Sequence, residues 1–159
     1  MSNKLFLVCP FSRMENFIRQ KYGDGIFFIT AMAAVFQSEE QEYLEELKAL
    51  IERESITEII IANDTSCRFI NSILKKENGF DSTAEKVLQE IFNDHYSDII
   101  QHKSLHEQQG TLAMLNVKHQ ANEMLKSILF QQNHSNKIKF TGLVTTKTSN
   151  RIKEIKFND

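Results

Sequence analysis

Apolar residues fall along this chain in short runs separated by amphipathic stretches, and that alternation sets the expected fold. Leu5 to Cys9 is a continuous apolar run, as in a strand buried on both faces. Ser12 is placed to cap a helix whose Met14, Phe17 and Ile18 share one side, with Gly23 and Gly25 closing it. Gly25 to Thr30 reads as a second apolar strand. From Glu39 to Arg53, Tyr43, Leu44, Leu47, Leu50 and Ile51 recur at helical spacing, and Glu42, Glu45, Glu46, Lys48 and Glu52 make the opposite, solvated face. Ile56 to Ala62, centred on Ile59-Ile60-Ile61, is the third strand. A helix follows from about Cys67 to Lys76 and breaks at Asn78-Gly79. Asp81 or Ser82 caps another, carrying Ala84, Val87, Leu88, Ile91 and Phe92. The polar region from His95 to Gln109 has no readable period. Thr111 to Gln131 reads as a long helix built on Leu112, Leu115, Ala121, Leu125, Ile128 and Leu129, and Asn133 to Asn136 as a turn. Lys137 to Thr145 and Arg151 to Phe157 then alternate on either side of Ser149-Asn150, the pattern of a terminal hairpin.

Strands separated by helices imply an α/β fold: a mostly parallel sheet flanked by helices, with an antiparallel C-terminal edge strand. A chain of 159 residues suits a single domain over 1–159, and 41% apolar residues supply one core. One Pro and five Gly leave no long flexible linker. A net charge of −2 predicts no general affinity for nucleic acid or for acidic membranes. Lys137, Lys139, Lys147, Arg151, Lys153 and Lys156 alternate with apolar residues and read as the wet face of strands. The apolar run near the N-terminus is too short for a membrane span or a secretory leader. A cytoplasmic location with both cysteines reduced is therefore expected.

Ligands of such sheets bind beyond the carboxyl ends of the strands. Cys9 ends the first strand and Cys67 lies a few residues beyond the third, so the two thiols are expected to meet at that edge. Free cysteines also serve as small buried hydrophobes, and the pattern by itself leaves both readings open. No Gly-rich phosphate loop, Gly-x-Ser-x-Gly elbow or His-Glu-x-x-His pair occurs, and Gly23-Asp24-Gly25 reads as a turn.

The segment Leu7-Val8-Cys9-Pro10-Phe11-Ser12-Arg13 resembles the first zinc motif of β-class carbonic anhydrases, a strand ending in Cys-x-Asp-Ser-Arg. Ile59-Ile60-Ile61-Ala62-Asn63-Asp64-Thr65-Ser66-Cys67 resembles their second, a strand ending in Gly-His-x-x-Cys-Gly. Asn116-Val117-Lys118-His119-Gln120 is similar to the family's Asn-Val-x-x-Gln helix. Gly142 to Ile152 is similar to its closing hairpin, with Asn150 at the turn glycine; Asn tolerates left-handed backbone better than other non-Gly residues. The four segments stand in family order, which implies a β-carbonic-anhydrase-like fold. The family's N-terminal helical arm, which wraps a second subunit, has no counterpart before the first strand. The homodimer that the resemblance implies is thus expected to lack that contact.

The family's zinc takes two Cys and one His, with water or the motif Asp in the fourth position. Carried over, the resemblance puts Cys9 and Cys67 at the thiolate positions, Asp64 at the His and Phe11 at the Asp. Arg13 is retained without its carboxylate partner. Thr30-Ala31-Met32-Ala33-Ala34 falls on the family's Arg-Asn-Ala-Gly-Asn, and Arg68 replaces the glycine after the second Cys. Two thiolates and a carboxylate would give zinc a net negative site, which acidifies bound water less than a site with neutral imidazole. The expected function is therefore a carbonic-anhydrase-like protein with a degenerate zinc site, without carbon dioxide hydration, binding a ligand or partner at the old active-site edge. The alternative is a zinc-dependent lyase or hydrolase that uses Cys9, Asp64 and Cys67 as metal ligands and Arg13 as a catalytic group. Local chemistry also allows Asp64 as a helix cap or loop anchor, and Arg13 as a surface residue or ion-pair partner of Asp64. His95, His102, His106, His119 and His134 follow no metal spacing with another ligand and are assigned none.

Overall fold

The computed structural model describes residues 2–127 and 138–158. Five strands form one sheet in the order β2-β1-β3-β4-β5. They are β1 (Asn3–Val8), β2 (Ile26–Thr30), β3 (Ile56–Asp64), β4 (Lys139–Thr146) and β5 (Arg151–Lys156). The first three pairings are parallel, and β5 runs antiparallel to β4 at the edge. The α/β class, the single domain and the antiparallel C-terminal strand therefore stand as expected. Asn150 takes the left-handed conformation (φ 57°, ψ 39°) at the turn between β4 and β5, a position that Asn fills at less cost than most side chains.

The helices are α1 (Glu15–Tyr22), α2 (Gln41–Arg53), α3 (Arg68–Leu74), α4 (Thr83–Asp94), α5 (Tyr96–Ile100) and α6 (Leu105–Lys126). Short 3-10 turns occupy Pro10–Ser12, Met32–Ala34 and Lys147–Ser149. The larger core packs α2 to α6 against one face of the sheet through Leu47, Ile51, Leu88, Ile99, Leu112 and Val117. On the other face, Ile18 of α1 and the preceding Met14 close over Phe6, Val8, Ile60, Ala62 and Leu143. Residues 5–8 of β1 and 59–62 of β3, central in the sheet, are buried by both layers, which is why they read as unbroken apolar runs.

Two local expectations are corrected, and one alternative is decided. Ser12 does not cap α1: Pro10 opens a 3-10 turn, Arg13 ends it in left-handed conformation (φ 51°), and α1 starts after Met14. For α4 the structure selects Ser82, whose hydroxyl accepts from Glu85 N at 3.2 Å while Glu85 accepts from Ser82 N, a reciprocal box. The region from His95 to Gln109 holds α5 and the first turns of α6, which begins at Leu105 rather than Thr111, with Ser104 accepting from Glu107 N at 3.1 Å. Ile128, Leu129, the turn at Asn133 to Asn136, His134 and Lys137 lie outside the described residues. Among the described residues no helix is long and apolar enough to cross a membrane.

At the amino end of the sheet, Glu58 of β3 accepts from Lys4 of β1 and from Thr141 of β4, the latter at 2.8 Å. One carboxylate thereby ties three strands.

Candidate functional site

Cys9 follows β1 and Cys67 precedes α3, and the parallel pairing of β1 with β3 brings their ends side by side. Both cysteines are free, 1% and 0% exposed, and their thiols hydrogen-bond one another. Sharing that hydrogen bond lowers Cys9 to a pKa of about 6 against the opposing effect of burial, helped by the N–H groups of Phe11 and Ala33 and by the Ser12 hydroxyl. The Ala33 N–H lies 3.3 Å from Cys9 Sγ. Cys67 moves the other way: donation to Cys9, burial and the nearby negative charge all raise it. The two thiols are thus pushed in opposite directions, Cys9 down and Cys67 up.

The 3-10 turn after β2 supplies that Ala33 N–H through a strained backbone. Ala33 and Ala34, at the family's Gly and Asn positions, both have positive φ, 55° and 54°. Both sit in a backbone region that glycine adopts at less cost than alanine. The turn is held from below by α6. Asn116 donates to the Ala33 carbonyl at 2.8 Å and to Asn63 Oδ1 at 2.9 Å. Gln120 donates to Asn116 at 3.1 Å and accepts from Phe36 N at 2.9 Å. The Asn and Gln of the Asn-Val-x-x-Gln segment are therefore a buried ladder behind the thiols.

Asp64, at the end of β3, is buried. Its Oδ1 accepts from the Thr145 hydroxyl at 2.6 Å and from Lys147 N at 2.9 Å. Its Oδ2 accepts from Ser66 N at 3.0 Å and from the Ser66 hydroxyl. All four acceptor positions are filled, none of them by a thiol or by Arg13. Asp64 is a loop anchor, and the N-terminal cap of α3 is Cys67. Among the described residues no group of three or more His, Cys, Asp or Glu side chains is arranged to hold a metal ion.

Arg13 is exposed and makes no hydrogen bond or ion pair among the described residues, so the expected pairing with Asp64 does not form. Phe11, 49% exposed, stacks on Phe80, itself 56% exposed, at 6.3 Å between centroids, and meets Phe69 edge-on at 5.6 Å. The Arg68 guanidinium lies over both exposed rings, 4.8 Å from Phe80 and 5.7 Å from Phe11. Sequence reasoning flagged Phe11 and Arg68 but missed Phe80. Its signal was an aromatic residue directly after the Asn78-Gly79 break, where a polar loop was the simpler reading.

A family model described as carbonic anhydrase matches residues 4–151. No curated protein matches the chain. Among solved structures it is similar to a tetrameric β-carbonic anhydrase of Sordaria macrospora, at 15% identity and a TM-score of 0.81, covering 97% of this chain and 80% of that one. It is similar to wild-type CafD, a β-carbonic anhydrase of Aspergillus fumigatus, at 15% identity and a TM-score of 0.82, covering 98% and 90%. A Coccomyxa β-carbonic anhydrase in complex with acetazolamide matches at 16% identity and a TM-score of 0.77, covering 97% and 72%. At these identities the likeness to the solved structures is one of fold.

Proposed function

Since this chain belongs to the β-carbonic anhydrase family, we propose that it is a carbonic-anhydrase-like protein with a degenerate zinc site, one that does not hydrate carbon dioxide and serves instead to bind a ligand or partner. The observation that carries this reading is the full engagement of Asp64, the residue at the family's His position, by Ser66, Thr145 and Lys147. Releasing it to a metal would leave the Thr145 hydroxyl and the Lys147 N–H without their partner, and unmet buried donors cost about 1–3 kcal/mol each. Two thiols without a third protein ligand fall short of the three that a catalytic zinc site holds. Among the described residues the donor set does not fit the metal.

The surroundings support the same reading. Phe11 gives Arg13 no carboxylate to orient it. In the Thr30 to Ala34 stretch, Ala31 and Ala34 stand where the family has Asn, and Thr30 where it has Arg. Losing one transition-state donor costs about 10²–10³ in rate, and several losses within one coupled site leave little, though they do not simply multiply. The alternative, a zinc-dependent lyase or hydrolase on Cys9, Asp64 and Cys67, draws on the two neighbouring thiols, but requires Asp64 to leave its partners.

Stopped-flow hydration assays on protein supplied with zinc, with Cys67→Ala as control, test the proposal. The expected result is no rate above the control. A robust rate that vanishes in Cys67→Ala would overturn it in favour of the zinc enzyme. Phe11→Asp combined with Asp64→His is expected to raise the zinc content of purified protein. Assembly into a homodimer belongs to the same reading. It is supported by the exposed Phe11 and Phe80 surface and by the tetrameric state of the Sordaria macrospora enzymes. Light scattering on the eluted protein checks it, and a monomer at micromolar concentration would remove it.

A further inference from the structure

Asp64 does more than close a loop. Its two oxygens reach opposite ways, Oδ2 to Ser66 and Oδ1 to Thr145 and Lys147, so it braces the segment after β3 against the turn after β4. Between those two segments lies an open cleft of about 450 Å³ at the carboxyl ends of β3 and β4. We propose that this cleft is a binding site for a small phosphate monoester. The inference stands apart from the zinc question, because none of the cleft's lining residues belongs to the thiol pair.

The lining chemistry is one-sided. Thr146 and Thr148 contribute hydroxyls with uncommitted protons, those of Thr65, Ser66 and Ser149 being donated to Thr146 Oγ1, Asp64 and the Thr146 carbonyl, and no carboxylate lines the cleft. Arg151, a cation at the start of β5, and the His106 imidazole on α6 stand on its rim. Among the described residues neither makes an ion pair or hydrogen bond. The Lys147 ammonium, by contrast, is already committed to the Ser12 carbonyl at 2.7 Å. The negative charge of Asp64 is buried and fully met by its four donors.

The donors are also held in place. The Thr65 hydroxyl donates to Thr146 Oγ1 at 3.1 Å, which leaves the Thr146 proton free to point elsewhere. Asn71 donates one amide proton to the Ser66 carbonyl at 3.3 Å and accepts from Gln109, so each amide keeps a second proton. A guanidinium, an imidazole, hydroxyls and two amides exceed what one planar carboxylate accepts. They suit a tetrahedral oxyanion, whose oxygens Arg recognises in pairs. The volume falls within the range of small-ligand sites and leaves room beside the phosphate for a hydroxylated remainder. The carboxyl edge of a parallel sheet is where such ligands bind.

Nuclear magnetic resonance titration of the full chain tests this with glycerol 3-phosphate, inorganic phosphate, acetate and glycerol as probes. Glycerol 3-phosphate is expected to bind saturably, to shift the amides of residues 65–66 and 146–151, and to bind more tightly than inorganic phosphate. Acetate and glycerol should not saturate. Arg151→Ala and His106→Gln, both at exposed positions, should each weaken glycerol 3-phosphate by about tenfold with the melting temperature unchanged. Absence of saturation, acetate binding as tightly as the phosphate ester, or affinity unchanged in both variants would each overturn the proposal. Carbon dioxide hydration by the wild type would overturn the functional reading above and leave this one standing.

Discussion

At the scale of single residues, the site is defined by what Asp64 and Ala33 do in positions suited to other side chains. A charged acceptor with four donors closed on it becomes structural. Asp64→Ala should lower stability by about 3 kcal/mol in urea denaturation, because hydrogen bonds to a charged group are strong and their donors stay behind unmet. A loss under about 1 kcal/mol would show that Asp64 is not the anchor described. Ala33 carries the opposite signature: its φ of 55° is a cost borne by the native state. Ala33→Gly should therefore stabilise the protein by about 1 kcal/mol, the left-handed penalty less the extra entropy of the unfolded glycine. The meeting of Cys9 and Cys67 was legible in the chain because each stands at or just past the end of a strand, and strand ends converge. The fate of Asp64 was not. Ser66 lies two residues away, but Thr145 and Lys147 are 81 and 83 residues distant, and local capping rules see only the first. Phe80 escaped for the same reason, since Phe11 finds it across most of the first half of the chain.

Elements were most legible where burial is two-sided. Residues 5–8 of β1 and 59–62 of β3 are apolar throughout because both faces are covered. The first turns of α6 were obscure because Leu105 to Gln109 are exposed or half-buried and carry no apolar period, although Ser104 and Glu107 already stood at capping spacing. How α6 docks on β4 depends on Gly142. A Cβ there would lie 2.3 Å from Val117 Cγ1 on α6 and 2.9 Å from Phe157 Cε2. Gly142→Ala should cost about 1–3 kcal/mol through overpacking, read in the same denaturation assay. The strap across β1, β3 and β4 predicts a pH dependence. Burial pushes Glu58 up, but the hydrogen bonds from Lys4 and Thr141 and the charges of Lys4 and Lys139 hold it below its ordinary 4.5. A carboxyl depressed by folding contributes stability above its unfolded value and loses it as pH falls through its folded one. The stability gap between wild type and Glu58→Gln should therefore be constant near neutrality and shrink once pH drops below 4.5. A gap that widened on acidification would contradict the assignment.

At the scale of the whole molecule, a frame of hydrogen bonds joins the carboxyl edge of the sheet. The Asn116–Gln120 ladder ties α6 to Asn63 of β3 and to the turns after β2. Asp64 ties β3 to β4, and the Lys147 ammonium ties the β4 turn back to the loop after β1. The thiol pair lies inside this frame and is not its keystone, and most of the stabilisation comes from the two apolar layers on the sheet. The order of elements along the chain pointed to this architecture, whereas the hydrogen-bonded frame joins residues too far apart in sequence to be read from it. Its consequence is a test by metal removal. An ion bound only by the native state at a hundredfold excess over its dissociation constant stabilises by about 2.7 kcal/mol. For a domain of this size that is a shift of roughly 5–10 °C in melting temperature. Dialysis against a chelator should leave the melting temperature within about 1 °C of its starting value, and added zinc should not raise it, because among the described residues no third ligand is free to complete a site. A fall of several degrees on chelation, restored by zinc and absent in Cys9→Ser, would mean that the thiols hold an ion as part of the fold and that Asp64 yields its partners to help them.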